Sequence, residues 1–421
     1  MKTTTNLILA LLGSSSLALH AGESAKNPAP APAPDPFADK LTGDWGGFRG
    51  TLAEHGISLD LEYTEYYQGL LSGGGNNDWD FAGRVDAFLN VNTEKLGLWE
   101  GGGIRTHTEY RYGSLPGVRG GALWPVNTGA ILPLGGGDEI VASSIYLTQS
   151  LGDHVNLMLG KINAVDLLAS DPFFGGWGIH RFQNITFVAP PSGVVPPTIM
   201  GAIASIKTAP ITWTVMAFDP NDRTNDYWPD DLFEDGVNLS LGATYVGKLA
   251  GRTTIYNLTG TYSTKDGANL GELLLPSELK TGNKDGSYNV SFQFSHYFKQ
   301  HSEQPGDGWG LFIKGALADG NPNPVQSSII GGIGGKGLFP SRRDDTFGIG
   351  YFFYNFSDDL QDAVSPLIAF NDEQGLEVFY NFAVTPWFRI GADLQVIDPA
   401  RGDRDTAVVA VVAGLRANLQ F

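Results

Sequence analysis

The chain has 421 residues, among them 56 Gly, 24 Pro, 9 Trp, 15 Tyr and 24 Phe, and only 17% Asp, Glu, Lys or Arg, below the usual quarter. A formal net charge of −18 excludes a nucleic-acid partner, which requires a basic face. With no cysteine, disulfides, thiolate zinc sites, cysteine nucleophiles and lipoprotein acylation are excluded as well.

Residues 1–21 read as an export signal: Lys2 is the positive end, Leu7 to Leu12 the apolar centre, and small residues around Ala18 and Ala21 mark cleavage near Ala21. Residues 22–40 form a Pro/Ala-rich periplasmic spacer, with "NPAPAPAPDP" suited to a polyproline II tether. Residues 41–57 are a short N-terminal helical segment; Trp45 to His55 is the expected helix, with Phe48, Leu52 and Trp45 on one side and Gly56 as its stop.

From residue 58 to 421 the period is two. Leu59, Leu61 and Tyr63 alternate with Asp60, Glu62 and Thr64; Val290, Phe292 and Phe294 lie opposite Ser291, Gln293 and Ser295; Ile390, Leu394 and Val396 face away from Arg389, Asp393 and Gln395. Strands are expected to start near 58, 81, 103, 139, 155, 198, 211, 236, 252, 287, 309, 325, 345, 373, 386 and 406. That is about sixteen, an even number suited to a closed single-chain outer-membrane barrel. No later stretch approaches the ~18 apolar residues of a membrane helix.

The connections alternate in length. Residues 113–138, 162–197, 219–235, 264–286 and 357–372 are long, and 94–102, 150–154, 207–210, 247–251 and 384–385 are short. Short periplasmic turns and long external loops produce this rhythm, which a soluble sandwich has no reason to show. Residues 319–324 break it, being short where a long loop is due. Aromatic residues cluster at strand ends, as at the two water–lipid boundaries of a barrel.

The stretch "RTHTEYRY" (105–112) shows the consequence. Arg105, His107, Glu109 and Arg111 share one face, and Thr106, Thr108, Tyr110 and Tyr112 the other. In a wide barrel the first set points at water in the lumen and the second at lipid. The fold class is therefore all-β, a transmembrane antiparallel β-barrel. With a turn near 95–100, Arg84 lies opposite Arg111 and Asp86 opposite Glu109, leaving Arg84–Glu109 and Asp86–Arg111 as diagonal neighbours.

Four stretches resemble carbohydrate-selective porins of the OprB type: "LTGDWGGFRGTLAEHGISLDLEYT", "RVDAFLNVNTEKLGLWEGGGIRTHTEYRYG", "GKINAVDLLASDPFFGGWGIHRFQN" and "EVFYNFAVTPWFRIGADLQVIDPA". The Trp-Gly-Gly opening is the most specific of them. The resemblance implies a sixteen-stranded bacterial outer-membrane barrel passing sugars, glucose above all, through a constriction with charged residues and inward-folded loops. An Arg and a Glu facing each other in the narrow part carry over to Arg84 and Glu109. Phe421 after an alternating strand resembles the signal read by barrel-assembly machinery.

Candidate constriction and substrate-binding residues are Arg84, Asp86, Arg105, His107, Glu109, Arg111, Lys161, Trp177 and Arg181. Arg and carboxylate groups exchange hydrogen bonds with sugar hydroxyls, and mixed signs avoid a strong ion preference. The loop around Asp171, Phe173, Phe174, Trp177 and His180 offers aromatic faces for sugar C–H surfaces, or else packs as a cap on the rim; Lys161 is expected in the lumen, with Trp124 a weaker candidate.

The expected partners are small neutral sugars, outer-membrane lipid and lipopolysaccharide; a monomer and a homotrimer stay open. No cofactor and no metal are expected: "GGIGGKG" (331–337) departs from the phosphate loop, the seven His lack zinc spacing, and "GGGNNDWD" (73–80) lacks regular calcium-loop spacing. The alternatives are a general diffusion porin without sugar preference, a barrel hydrolase using His296 with Ser295 or Ser291, and a soluble β-rich binding protein.

Overall fold

The computed structural model describes residues 36–75, 77–115, 119–132, 140–302, 304–365, 367–402 and 408–421. The expected export signal, residues 1–21, and residues 22–35 of the expected spacer lie outside them.

Sixteen antiparallel strands close into a barrel. They are β1 Ile57–Ser72, β2 Trp79–Asn92, β3 Gly102–Gly113, β4 Ile140–Leu151, β5 Val155–Asn163, β6 Thr198–Thr208, β7 Ile211–Phe218 and β8 Asn238–Leu249, followed by β9 Arg252–Ser263, β10 Ser287–Gln300, β11 Gly308–Ala318, β12 Val325–Lys336, β13 Thr346–Phe356, β14 Glu373–Thr385, β15 Phe388–Asp398 and β16 Ala410–Gln420. Most start within two residues of the expected positions. The largest displacement is β16, at Ala410 instead of near 406. Each strand pairs with its sequence neighbour, and β1 pairs with β16 through rows such as Glu62↔Gln420 and Tyr67↔Leu415. Without an edge, every ladder hydrogen bond is satisfied inside the sheet, as lipid demands.

The outer wall is apolar. Leu147, Leu159, Leu241, Leu258, Ile390 and Leu415 are all exposed on it. The expected short connection at 319–324 is real and lies at the same end as the long loops. Two two-residue ribbons stiffen the long loops, Gly267–Ala268 with Asn283–Lys284 and Ala369–Phe370 with Arg401–Gly402.

Two features differ from the sequence reading. The expected helix from Trp45 to His55 is broken: a 3-10 turn, Trp45–Gly47, precedes a helix, Phe48–Glu54, and Gly46 (φ 69) and Gly47 (φ 96) make the bend in the left-handed region. Phe48 is exposed, and the buried side chain is Arg49. The lumen is also not wet throughout. Along β11–β16 the inward residues Phe312, Ile330, Phe352, Phe379, Ile397 and Val412 join a buried apolar cluster with residues of two long loops.

The packing of loop 164–197 against β13 needs a floor without side chains. A Cβ on Gly348 would stand 2.7 Å from Phe182 Cζ, and one on Gly350 would stand 2.5 Å from Phe187 Cε1. We expect Gly350→Val to expel Phe187, lowering stability by about 1–3 kcal/mol; thermal unfolding should fall and single-channel conductance rise as the loop lifts.

Candidate functional site

Register brings the charges of β2 and β3 together. Arg84 stands opposite Arg111 and Asp86 opposite Glu109, so each row sets like charges side by side. The repulsion is resolved by Arg84, which donates to Asp86 (Nε–Oδ2 2.8 Å, with a second bond from Nη2) and reaches diagonally to Glu109 (Nη2–Oε2 3.0 Å). The expected second diagonal, Asp86–Arg111, is not formed, because Asp86 is taken by Arg84 and His107. Arg84 Nη1 also donates to the Gly129 carbonyl at 2.8 Å, pinning the loop after β3 to the wall.

His107 lies between two carboxylates. Nε2 is 2.8 Å from Asp86 Oδ1 and Nδ1 is 2.8 Å from Asp166 Oδ1. Both ring nitrogens are thus held by carboxylates, one from the wall and one from the loop. Phe88 stacks on the ring at 4.1 Å.

Asp166 belongs to the short helix Ala164–Leu168, whose N-terminus is capped by Asn163. It also accepts from Ser144 Oγ (2.6 Å) and Trp177 Nε1 (2.7 Å). Burial pushes its carboxyl up, but His107 and these hydrogen bonds outweigh burial and hold it below the ordinary carboxylate range. Asp86, His107 and Glu109 place three donor atoms within 4.8 Å of one another. Arg84 already bonds two of the three, so the cluster is an ion-pair network and not a cation cage.

This network is closed to solute. Arg84, Asp86, His107 and Glu109 are each 2% exposed or less. They hold loop 164–197 against the wall. The loop's far side is seated by main-chain contacts. Arg416 donates to the carbonyls of Gly178 (2.8 Å) and Arg181 (2.9 Å), and Glu377 accepts from the backbone N–H groups of Gln183 and Asn184. Phe182 and Phe187 stack at 4.4 Å and pack edge-on against Phe379 and Phe352. Glu373 in turn accepts from the N–H groups of Leu123 and Trp124, so the loop after β3 is seated in the same way.

Phe173 and Phe174 are buried in the apolar cluster and offer no face to a solute, so of the two readings open for this loop, packing holds for these two rings. Trp124 likewise packs on Tyr354 and Phe356. Trp177, His180 and Arg181 are half-buried. Lys161 is also corrected. It shares a register row with Ile145, which is exposed on the outer wall, and therefore points away from the lumen. Loop 219–237 folds back over it: Nζ donates to the Thr224 carbonyl at 2.6 Å and lies 4.3 Å above the Tyr227 ring. Arg105 does face inward, opposite Tyr146, and Arg111 is nearly buried beside the network.

The inward face of β7–β10 was not singled out from the sequence. Thr244, Asn257 and Gln293 form one cross-strand row of hydroxyl and amide groups, and Thr214, Thr259 and Ser291, with Gly242 between the first two, form the adjoining one; Asn257 Nδ2 bonds Thr244 Oγ1 at 2.9 Å. Gln293 Nε2 reaches Asp171 Oδ2 of the loop at 2.9 Å. The signal was present as alternate polar positions opposite Val290, Phe292 and Phe294. Lacking charge, it drew no attention.

The family model for the carbohydrate-selective porin, OprB family, matches residues 76–421. The chain belongs to that family. It is a porin of the bacterial outer membrane, a channel and not an enzyme. The match begins after the Trp-Gly-Gly opening. Among curated relatives, "Porin B" of Pseudomonas aeruginosa is 25% identical, covering 93% of each chain. "Putative porin QuiX" of Acinetobacter baylyi is 24% identical over 90% of this chain and 93% of its own. The solved "High pH structure of Pseudomonas putida OprB" has the same fold, with a TM-score of 0.77 at 20% identity, covering 91% of this chain and 99% of that one. The corresponding low-pH structure superposes with a TM-score of 0.57 at 18% identity, over 91% and 98%.

Replacing Arg84 by Met strands two buried carboxylates in this porin, and we expect it to cost about 3–5 kcal/mol, read as a lower unfolding midpoint. Asp166 yields a pH prediction. Its folded-state value is depressed, so the stability it contributes is complete above the ordinary value of 3.8 and is lost as pH falls below it. Conductance noise from a loosened loop should therefore grow on acidification below that pH, and Asp166→Asn should show it already at neutral pH.

Proposed function

We propose that this porin allows passive, carbohydrate-selective diffusion of small neutral sugars, glucose and related ones, past a constriction formed between loop 164–197 and the β7–β10 wall. The observation that carries this reading is the pair of adjoining inward rows, Thr244, Asn257 and Gln293 beside Thr214, Thr259 and Ser291, all uncharged donors and acceptors. These groups exchange hydrogen bonds with sugar hydroxyls and carry no charge of their own, the adjoining charges being Asp171, bonded to Gln293, and Lys314, the register partner of Gln293.

On the loop side, Trp177 supplies a partly open ring and Arg181 a cation, with Arg105 on the adjoining wall and Arg111 beside it. Arg84, Asp86, His107 and Glu109 act one layer back. They neutralise one another and set how far the loop stands from the wall, so their part in selectivity is the width of the gap. Lys161 has no part in the constriction. The sugar preference that the family's description names is consistent with this arrangement.

Liposome swelling with glucose, a disaccharide and an amino acid in parallel tests the reading. Glucose should enter fastest for its size. Equal rates for solutes of equal size would make this a general diffusion porin. A double replacement, Asn257→Leu with Gln293→Leu, should slow glucose about thirtyfold, two lost hydrogen bonds being worth about 1 kcal/mol each, while small-ion conductance changes less than twofold.

A further inference from the structure

The Trp-Gly-Gly opening has no place in the constriction, yet beside it a buried arginine ties together several main-chain carbonyls at the other end of the barrel. Arg49, 4% exposed, donates from Nη2 to the Phe421 carbonyl at 2.8 Å and to the Leu59 carbonyl at 3.2 Å, and from Nη1 to the Gly43 carbonyl at 3.0 Å. One guanidinium nitrogen thus bridges β1 and the residue that follows β16. The guanidinium lies 4.2 Å from the Trp45 ring and 5.4 Å from the Phe37 ring.

The local sequence builds this seat. Trp45, Gly46 and Gly47 all adopt positive φ (51, 69 and 96), and Asp44 Oδ1 accepts from the Gly50 N–H at 2.7 Å. Two backbone bonds complete the junction, Leu41 N to Gln420 O and Phe421 N to Leu61 O, both 2.8 Å.

The β1–β16 seam is the costliest pairing in the molecule to begin. All the other barrel pairings join sequence neighbours, whereas Arg49 and Phe421 are 372 positions apart. Loop-closure entropy must be met before any seam hydrogen bond repays it. Arg49, by contrast, is only 10 positions from Leu59, so its seat on β1 is local and needs no long-range closure to form.

We propose that the segment Trp45–Arg49 is a catch for the last strand: it captures the Phe421 end of β16, sets the seam register and starts pairing from the short-turn end. The partner of this surface is the chain's own β16. A group that acts in closure belongs to the folding transition state, so its removal slows folding and leaves unfolding almost unchanged. A group that merely braces the finished barrel does the reverse.

The test is refolding of the full chain from urea into detergent micelles, with unfolding followed in the same series. Arg49→Met should refold about tenfold more slowly with an unfolding rate within twofold of the parent. Arg49→Lys, which keeps the charge and loses the fork, should fall between them, and it carries the measurement if the Met variant does not refold. Arg342→Met is the control. Arg342 also lies at the short-turn end, over the Phe382 ring at 3.6 Å and bonded to the Ala383 carbonyl, but away from the seam. It should leave the refolding rate unchanged.

Thr64 and Asn418 are register partners across the seam. In a Thr64→Cys/Asn418→Cys chain oxidised before refolding, the seam ends are already joined, and Arg49→Met should no longer slow folding. Refolding of the Arg49 variants at the parent rate overturns the proposal, as does slowing of equal size in the oxidised chain.

Discussion

The rest of the structure depends on the requirement that no strand edge meet lipid unpaired. A backbone N–H or C=O without a partner costs several kcal/mol in hydrocarbon, so β1 must find β16. Once sixteen strands close, the interior is too wide for side chains from the wall to fill it. An apolar outer wall, a broad lumen and the need for something to narrow that lumen all follow from the one closure.

Two long loops do the narrowing, and their attachment follows a single logic. Buried carboxylates on the wall receive backbone N–H groups from the loops: Glu377 takes those of Gln183 and Asn184, and Glu373 those of Leu123 and Trp124. In the other direction Arg84 and Arg416 on the wall donate to loop carbonyls. Main-chain groups carried into a barrel interior would otherwise go unsatisfied. The phenylalanines of loop and wall then exclude water along β11–β16, which strengthens each of these bonds by lowering the local dielectric.

The paired charges of Arg84, Asp86, His107 and Glu109 are therefore buried beneath the loops. Mixed charge on β2 and β3 appeared from the sequence to be the lining of a constriction. Its register was legible because side chains alternate and the hairpin turn is short. Its role was not, because burial depends on residues 129, 166 and 177, which arrive from other parts of the chain. His107 is the clearest instance: on the strand it is one more polar residue, and only Asp166, 59 positions later, makes it a clamp between wall and loop.

The sequence by itself determined the inside-out polarity, the number of strands, their approximate starts, the alternation of short turns and long loops, and the facing of Arg84 with Arg111. Each of these follows from local period and local turn chemistry. Only tertiary structure decided which loops enter the lumen, which half of the lumen is dry, and what each charge faces. Lys161 illustrates the limit. Its charge suggested the lumen, but the strand register puts it on the outer face with Ile145, and a lysine is tolerable there because Thr224 and Tyr227 come back 63 and 66 positions later to cover it. Contacts of that range carry no periodic signal, since they are set by where a loop of free length finds partners for its buried polar groups.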